Sequence, residues 1–333
     1  MGILIVCRDA DFSENAIGKV EIPEVECDHV YDNDCDTTCN LCGAVRTVPH
    51  DLVHYDAVAP TDTEDGNKEY WHCTLCDKYW LDEALTQPTT KDGVVLLSIS
   101  SYPVYDTSLK GLYDLGGTEE DSLANHATNG KTATFTGTYE ADGASVKFTG
   151  KSNGNFLDTN LRIQPSNTVT TIVLFSVPTG HRTIFGCRSQ SSPNAAGISV
   201  MNDMAIYCAD GTSKPIDFHT AINSNNFSIL AMQASAQDGV GVCKVWQYKN
   251  GSLVPCADTY EGVLDNIPGT VVTTWRVGGD KLSTTFADAY ISLAAIHEGD
   301  ITGGAEGVTV DDKLLEICRF VKAYGEQKGL TIE

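Results

Sequence analysis

From residue 92 onward the chain alternates short runs of β-branched and aromatic residues with clusters of Gly, Asn, Asp and Ser. That texture predicts antiparallel strands. The runs fall at residues 94–99, 145–148, 169–175, 198–200, 227–231, 244–248, 274–277 and 289–296, with turn signals such as Lys249-Asn250-Gly251 and Ala141-Asp142-Gly143 between or beside them. At least eight strands without intervening helices predict a two-sheet sandwich or jelly roll. The period changes only near the end, where Leu314, Ile317, Cys318 and Val321 fall at i, i+3, i+4 and i+7 and Asp311 and Asp312 stand at the favourable end. This predicts a helix over residues 310–327, packed against the sandwich.

Residues 25–88 show no such periodicity. They are rich in Asp, Cys and His and carry too little apolar surface for a core of their own, so a metal must supply the folding energy. His29-x5-Cys35-x3-Cys39-x2-Cys42 offers four ligands of the type that structural zinc prefers. Cys39-Asn-Leu-Cys42 recurs as Cys73-Thr-Leu-Cys76, which implies one or two structural zinc ions per chain. With two ions, His29, Cys35, Cys39 and Cys42 hold the first, and His54, Cys73 and Cys76 hold the second. Asp62, His50, His72 or Cys27 completes that second set. With one ion, the two knuckles pair as a single all-cysteine site, and a metal-free pairing of the thiols as disulfides is the third alternative. A catalytic zinc is not expected, because it needs an open position served by a placed acid or base. The expected organisation is a leader at 1–24, a first zinc module at 25–50, a second, zinc-ribbon-like module at 51–91, and a jelly roll with its C-terminal helix at 92–333. In the leader, Ile3 to Val6 either add a strand to another body or edge the protein's own fold.

Charge narrows the functional classes. Against 45 acidic residues stand 22 Lys and Arg, a net charge of -23, which repels phosphate backbones and anionic membranes. Nucleic acid is therefore not an expected partner, and no run approaches the roughly 20 apolar residues that span a bilayer. The opening run of four apolar residues before Cys7, Arg8 and Asp9 fits neither a secretory signal nor an anchor, so a reducing cytoplasm is the expected place of synthesis. Cys187 with Cys208, and Cys243 with Cys256, could pair if the protein later met an oxidising medium.

Several segments resemble known families. Tyr113-Asp-Leu-Gly-Gly, Asp142-Gly-Ala-Ser-Val-Lys-Phe-Thr-Gly, Trp246 to Gly251, Trp275-Arg-Val-Gly-Gly and Ala289 to Ile296 together resemble laminin-G-like, concanavalin-A-type jelly rolls over about residues 95–325. The resemblance implies a mainly β fold, with small zinc-binding N-terminal modules ahead of a concanavalin-A-like sandwich. The run from His29 to Gly43 closely resembles small cysteine-rich repeats on surface proteins of gut bacteria and their phages. Gly66-Asn-Lys-Glu-Tyr-Trp-His-Cys-Thr-Leu-Cys76 is similar to a companion repeat in which a cysteine usually stands where this chain has Asp62. Asp9-Ala-Asp-Phe-Ser-Glu-Asn-Ala-Ile-Gly18 is similar to leaders that dock phage fibre and tail proteins on the virion.

These likenesses imply a virion component, a fibre or decoration protein that docks on other virion proteins through residues 1–24 and presents its jelly roll to a host-surface glycan. Fibres of this kind usually form homotrimers. Trp246, Tyr248 and Trp275 are candidate stacking platforms for sugar rings; the alternative is that they fill the core. Jelly rolls of this type also include glycoside hydrolases, but the strand motif Glu-x-Asp-x-Glu is absent and Glu298-Gly-Asp300 holds only its first two elements. The expectation is a binding protein and not an enzyme. A secreted or cell-surface carbohydrate-binding module and a glycoside hydrolase are the alternatives. Calcium is conceivable at Asp114 or Asp280, without a dedicated loop signature.

Overall fold

The computed structural model describes residues 2–7, 16–22, 27–103, 106–128, 130–149, 155–163, 167–178, 181–187, 197–201, 205–206, 226–237, 240–256, 260–263, 274–279 and 288–333. Two compact units emerge, one of Met1–Val58 with Asn67–Val95 and one of Ala59–Gly66 with Leu96–Glu333.

In the first unit, strands Gly2–Cys7 and Ala16–Ile22 pair antiparallel from Gly2 opposite Ile22 to Val6 opposite Gly18. The leader thus supplies its own partner strand. Alternating apolar and polar positions then build a four-stranded antiparallel sheet in the order Leu52–Tyr55, Tyr70–Cys73, Tyr79–Trp80, Pro88–Thr89. Cross-strand registry sets His54 opposite Trp71 and Tyr55 opposite Tyr70, and both pairs stack. The buried apolar set is small: Cys35, Cys73 and Trp80, with Leu52, Cys76 and Leu85 packed against them. Because Cys35 and Cys73 share this cluster, residues 25–50 and 51–91 do not stand as two separate modules.

The second unit is the mainly β jelly-roll sandwich that the strand runs predict. One sheet runs Ala141–Asp142, Ser145–Phe148, Ala289–Glu298, Val169–Ser176, Ser228–Gln237, Val240–Lys249, Ser252–Pro255. Leu109–Asp114 also pairs with Ala289–Glu298, and Tyr260–Val263 with Val240–Lys249. The other sheet runs Thr134–Thr136, Phe156–Asp158, Arg276–Val277, His181–Gly186, Gly197–Met201, Ala205–Ile206. Between the sheets Phe148, Val173, Phe175, Leu230 and Ile296 meet Leu157, Ile184, Phe185 and Val277 in one core.

The larger sheet is covered on its other face as well. The helix Val310–Gln327 begins at a capping box of Thr309 and Asp312 and lays Leu314, Ile317, Cys318 and Val321 over Ile172, Leu174, Ile229 and Leu293. Burial on both faces explains why every position of Val169–Ser176 is inside and why that strand reads as an unbroken run. A bulge adjusts its neighbour: Leu174 faces Leu293, while Phe175 faces Ile291. Ala289 and Ile291 point between the sheets, and after the extra residue Ala294 and Ile296 do so.

Two expected strands change. Residues 94–99 form a short helix Lys91–Val94 capped by Thr90, a strand of only Val95–Leu96, and a 3-10 turn Ile99–Ser101. The Asp65 carboxylate draws this chain into its turn by accepting Ser98 N and Ser101 Oγ, both at 2.6 Å. Residues 274–277 shorten to Arg276–Val277, with the Trp275 backbone bonded to Leu161 O and Thr159 N beyond the end of the ladder and its buried indole N–H donating to the Ile163 carbonyl. Of the proposed thiol pairs, Cys208 and the side chain of Cys243 lie outside the described residues, as does Asp280. Asp114 is engaged by Lys328 Nζ at 2.5 Å and by the Tyr324 hydroxyl at 2.7 Å, which leaves no calcium loop there.

Candidate metal centres and a cationic depression

The two knuckles fold alike. In the first, Cys39 N donates to Ala44 O, Gly43 N donates to Cys39 O, and Gly43 takes a φ of 72°. In the second, Cys73 N donates to Lys78 O, Asp77 N donates to Cys73 O, and Asp77 takes a φ of 55°. Each turn closes through a left-handed residue after its second cysteine, a position glycine fills freely and aspartate tolerates. The closed turn aims backbone N–H groups at the first sulfur of each knuckle; Leu41 N reaches Cys39 Sγ at 3.4 Å.

Around each knuckle two further ligands converge, giving Cys27, His29, Cys39 and Cys42 in one cluster and Cys35, His50, Cys73 and Cys76 in the other. Within each cluster the ligand atoms all lie within 4.8 Å of one another. Cys27 Sγ and Cys39 Sγ are 3.8 Å apart, and His29 Nδ1 is 3.3 Å from Cys42 Sγ. Cys35 Sγ and Cys73 Sγ are 3.5 Å apart, and His50 Nδ1 is 3.5 Å from Cys76 Sγ. A tetrahedral ion with thiolates at about 2.3 Å sets ligand-to-ligand edges of about 3.8 Å, so the sulfurs and ring nitrogens are already spaced for one. Both clusters are suited to binding a metal.

Electrostatics in the clusters point the same way. Burial raises the Cys39 thiol, but the N–H of Cys42, the His29 ring and the N–H groups of Leu41 and Val30 draw it down to about 5. Cys73 is likewise raised by burial and drawn down to about 6 by His50, by Leu75 N–H and by Cys76. Their neighbours move oppositely. Hydrogen bonding to Cys42, then burial and Cys39, push Cys27 up to about 12, and burial with Cys73 and Cys76 does the same for Cys35. One thiolate per cluster is prepared by imidazole and backbone N–H donors, and ionisation of Cys27 or Cys35 beside it requires a cation.

The ligands are therefore divided differently from their order in the chain. Cys35 leaves the first set for the second, Cys27 takes its place, and His50 completes the second site where His54 was expected. His54 is exposed and faces carboxylates instead, with its Nε2 2.9 Å from Glu69 Oε1 and 4.0 Å from Asp56 Oδ1. His72 is bound to Asp77 at 2.7 Å and stacks on Tyr79. Asp62 belongs to none of the groups found among the described residues. Sequence distance favours Cys35 for the first site; the fold separates it by building Cys35 into the apolar cluster beside Trp80.

The three aromatic candidates are corrected too. Trp246 and Tyr248 are 4% exposed and lie in the core beneath the C-terminal helix, while Trp275 is fully buried between the sheets and meets Phe185 edge-on at 5.6 Å. None offers a face to a sugar.

What the sandwich does offer is a depression of about 330 Å3 lined by Lys110, Lys131, Asn160, Leu161, Arg162, Ile163 and Glu298. Lys110 comes from strand Leu109–Asp114, Glu298 ends strand Ala289–Glu298, and 160–163 follow strand Phe156–Asp158. Asn167 Nδ2 donates to Glu298 Oε1 at 3.1 Å, and Asn160 Nδ2 donates to Thr132 O at 2.9 Å. Asp300, two residues beyond Glu298, turns its carboxylate to Thr302 N and Oγ1, so the two acids do not form a pair. Sequence alone gave no sign of this grouping, since its members are spread over residues 110–298.

No protein-family model and no curated sequence matches the chain. Among solved structures it is similar to a receptor binding domain, at 12% identity over 64% of this chain and 51% of that one, TM-score 0.40. It is similar to a Trypanosoma rangeli sialidase mutant with trans-sialidase activity, at 11% identity over 80% and 46%, TM-score 0.47. A third similarity is to arcelin-5, a lectin-like defense protein from Phaseolus vulgaris, at 11% identity over 56% and 96%, TM-score 0.37. The chain spans about half the length of the first two. Scores this low add nothing to what the strand topology itself shows.

Proposed function

We propose that this chain is a carbohydrate-binding attachment protein, in which a zinc-braced unit acts as a rigid spacer and the sandwich carries the glycan site. The observation that carries this reading is the depression beside Glu298. At about 330 Å3 it falls in the size range of small-molecule sites, and its wall combines a carboxylate, an amide and the partly buried apolar side chain of Leu161. Sugars need that combination, because their hydroxyls bond to polar groups while their C–H faces rest on apolar ones. Binding, not hydrolysis, is favoured by Asp300 being turned away from Glu298, since glycoside hydrolysis uses two facing carboxyl groups.

The place of action we propose is a phage virion, with residues 1–24 docking on other virion proteins and the chain assembled as a homotrimer. Support comes from the likeness of residues 9–18 to virion-docking leaders and of residues 29–43 to phage surface repeats. Zinc is the ion proposed for both clusters, on the grounds of three sulfurs and one imidazole at tetrahedral spacing.

Incubating the intact, metal-loaded chain on a microarray of bacterial surface glycans tests the reading. Saturable retention of a glycan without its cleavage is expected. Retention of none, or cleavage that stops in Glu298→Gln, would overturn it.

A further inference from the structure

Acidic residues outnumber basic ones 45 to 22 in this protein, yet three of those 22 cations, Lys110, Lys131 and Arg162, line one depression. Among the described residues none of the three is paired with a carboxylate, Glu298 of the same wall included. Lys110 Nζ donates to the Thr107 carbonyl at 2.9 Å, which anchors its ammonium while leaving two N–H groups to give. Lys131 and Arg162 are exposed at the rim. Cations without a carboxylate partner among the described residues, on so acidic a protein, concentrate positive potential in one place.

We infer that this depression selects an anionic sugar, one bearing a carboxylate or a sulfate, over neutral sugars. The inference rests on the proposed glycan-binding role and names its ligand class. Each part of the wall has a counterpart in such a ligand. The Arg162 guanidinium presents a planar fork that matches the two oxygens of a carboxylate or sulfate, and Lys131 and Lys110 add point charges beside it. Glu298, steadied by Asn167, accepts from ring hydroxyls and cannot receive the anion. Leu161, only partly buried, supplies apolar contact for a ring face. A bare inorganic anion would use the cations and leave the carboxylate and the apolar side chain unused. A neutral sugar would do the reverse.

The test is titration calorimetry on the intact, metal-loaded protein with four probes: methyl glucuronide, glucose 6-sulfate, methyl glucoside and inorganic sulfate. The two anionic sugars should bind at least about tenfold more tightly than methyl glucoside or sulfate, with an affinity that falls as salt rises. The double variant Lys131→Ala/Arg162→Ala should lose that preference while keeping the wild-type unfolding transition. Glu298→Gln should weaken methyl glucoside and should not weaken inorganic sulfate, since it removes a negative charge beside the anion. The inference is overturned if the double variant keeps the preference, if methyl glucoside binds as well as the anionic sugars, or if inorganic sulfate binds as well as glucose 6-sulfate. Retention of neutral glycans alone on the microarray would sink this inference and leave the glycan-binding role standing; binding of no saccharide would sink both.

Discussion

The cysteine-rich unit and the sandwich occupy one chain but keep their shapes by different physics. The first buries little beyond Cys35, Cys73 and Trp80 and gathers eight candidate ligands into two clusters of four. The sandwich fills two cores on either side of a single sheet and leaves the thiol of Cys318 buried and pushed up to about 12 by that burial, a cysteine used as a small hydrophobe. Cysteine therefore plays opposite parts in the two units, drawn down to about 5 or 6 where amides and imidazoles surround it and inert where leucines do. The first is built for stability drawn from a bound metal; in the second stability depends on volume.

The most forceful way to break this comparison is to remove the ions. Metal binding of this type contributes on the order of 10 kcal/mol to a small domain's folding. Chelation, or Cys73→Ser, should make residues 27–95 protease-sensitive while the sandwich keeps its cooperative thermal transition. Loss of both transitions together would show that the units do not have separate sources of stability.

A core truncation should do the converse. Leu174 is fully buried under the helix, and Leu174→Ala should cost the sandwich about 2–5 kcal/mol in urea unfolding, with metal content unchanged. An effect below about 1 kcal/mol would mean that the helix-side core is not what holds this face.

The smallest effect concerns pH. His297 is fully buried against the Tyr102 hydroxyl at 3.0 Å, and burial pushes its imidazole from 6.5 down to about 3. It is neutral in the fold, whereas the unfolded chain takes up a proton near pH 6.5. Stability from this site is thus complete above pH 6.5 and falls as pH drops toward 3, by about 2 kcal/mol at pH 5. Urea unfolding of the chelated protein at pH 7 and pH 5 should show that loss, and His297→Gln should remove it. An equal loss in the variant would assign the effect elsewhere.

Much of the sandwich was legible because its strands are periodic. Residues 169–175 and 289–296 lie within observed strands, and the expected helix at 310–327 has the bounds of the observed one. Residues 94–99 misled because an apolar run does not announce that a distant carboxylate, Asp65, will capture two of its neighbours. The metal ligands were legible as residue types and as two knuckles, but not as sets. Partition depends on which thiol is carried into the cluster beside Trp80, a tertiary fact with no local signal. Trp246 and Tyr248 failed as platforms for the same reason that they form a good strand, since large rings on alternating positions pack inward, and Trp275, just before its strand, is buried between the sheets.

The ligand sets interleave, since Cys35 of one lies between His29 and Cys39 of the other. A metal in each set would therefore close the chain from 27 to 42 and from 35 to 76, and the two loops overlap. With both sets metal-loaded, tension applied between the ends of this segment would meet an ion wherever it enters, and its 49 peptide steps, roughly 170 Å when drawn out straight, would be held until a coordination bond breaks. Such a segment would be a pair of rivets placed so that each guards the seam of the other.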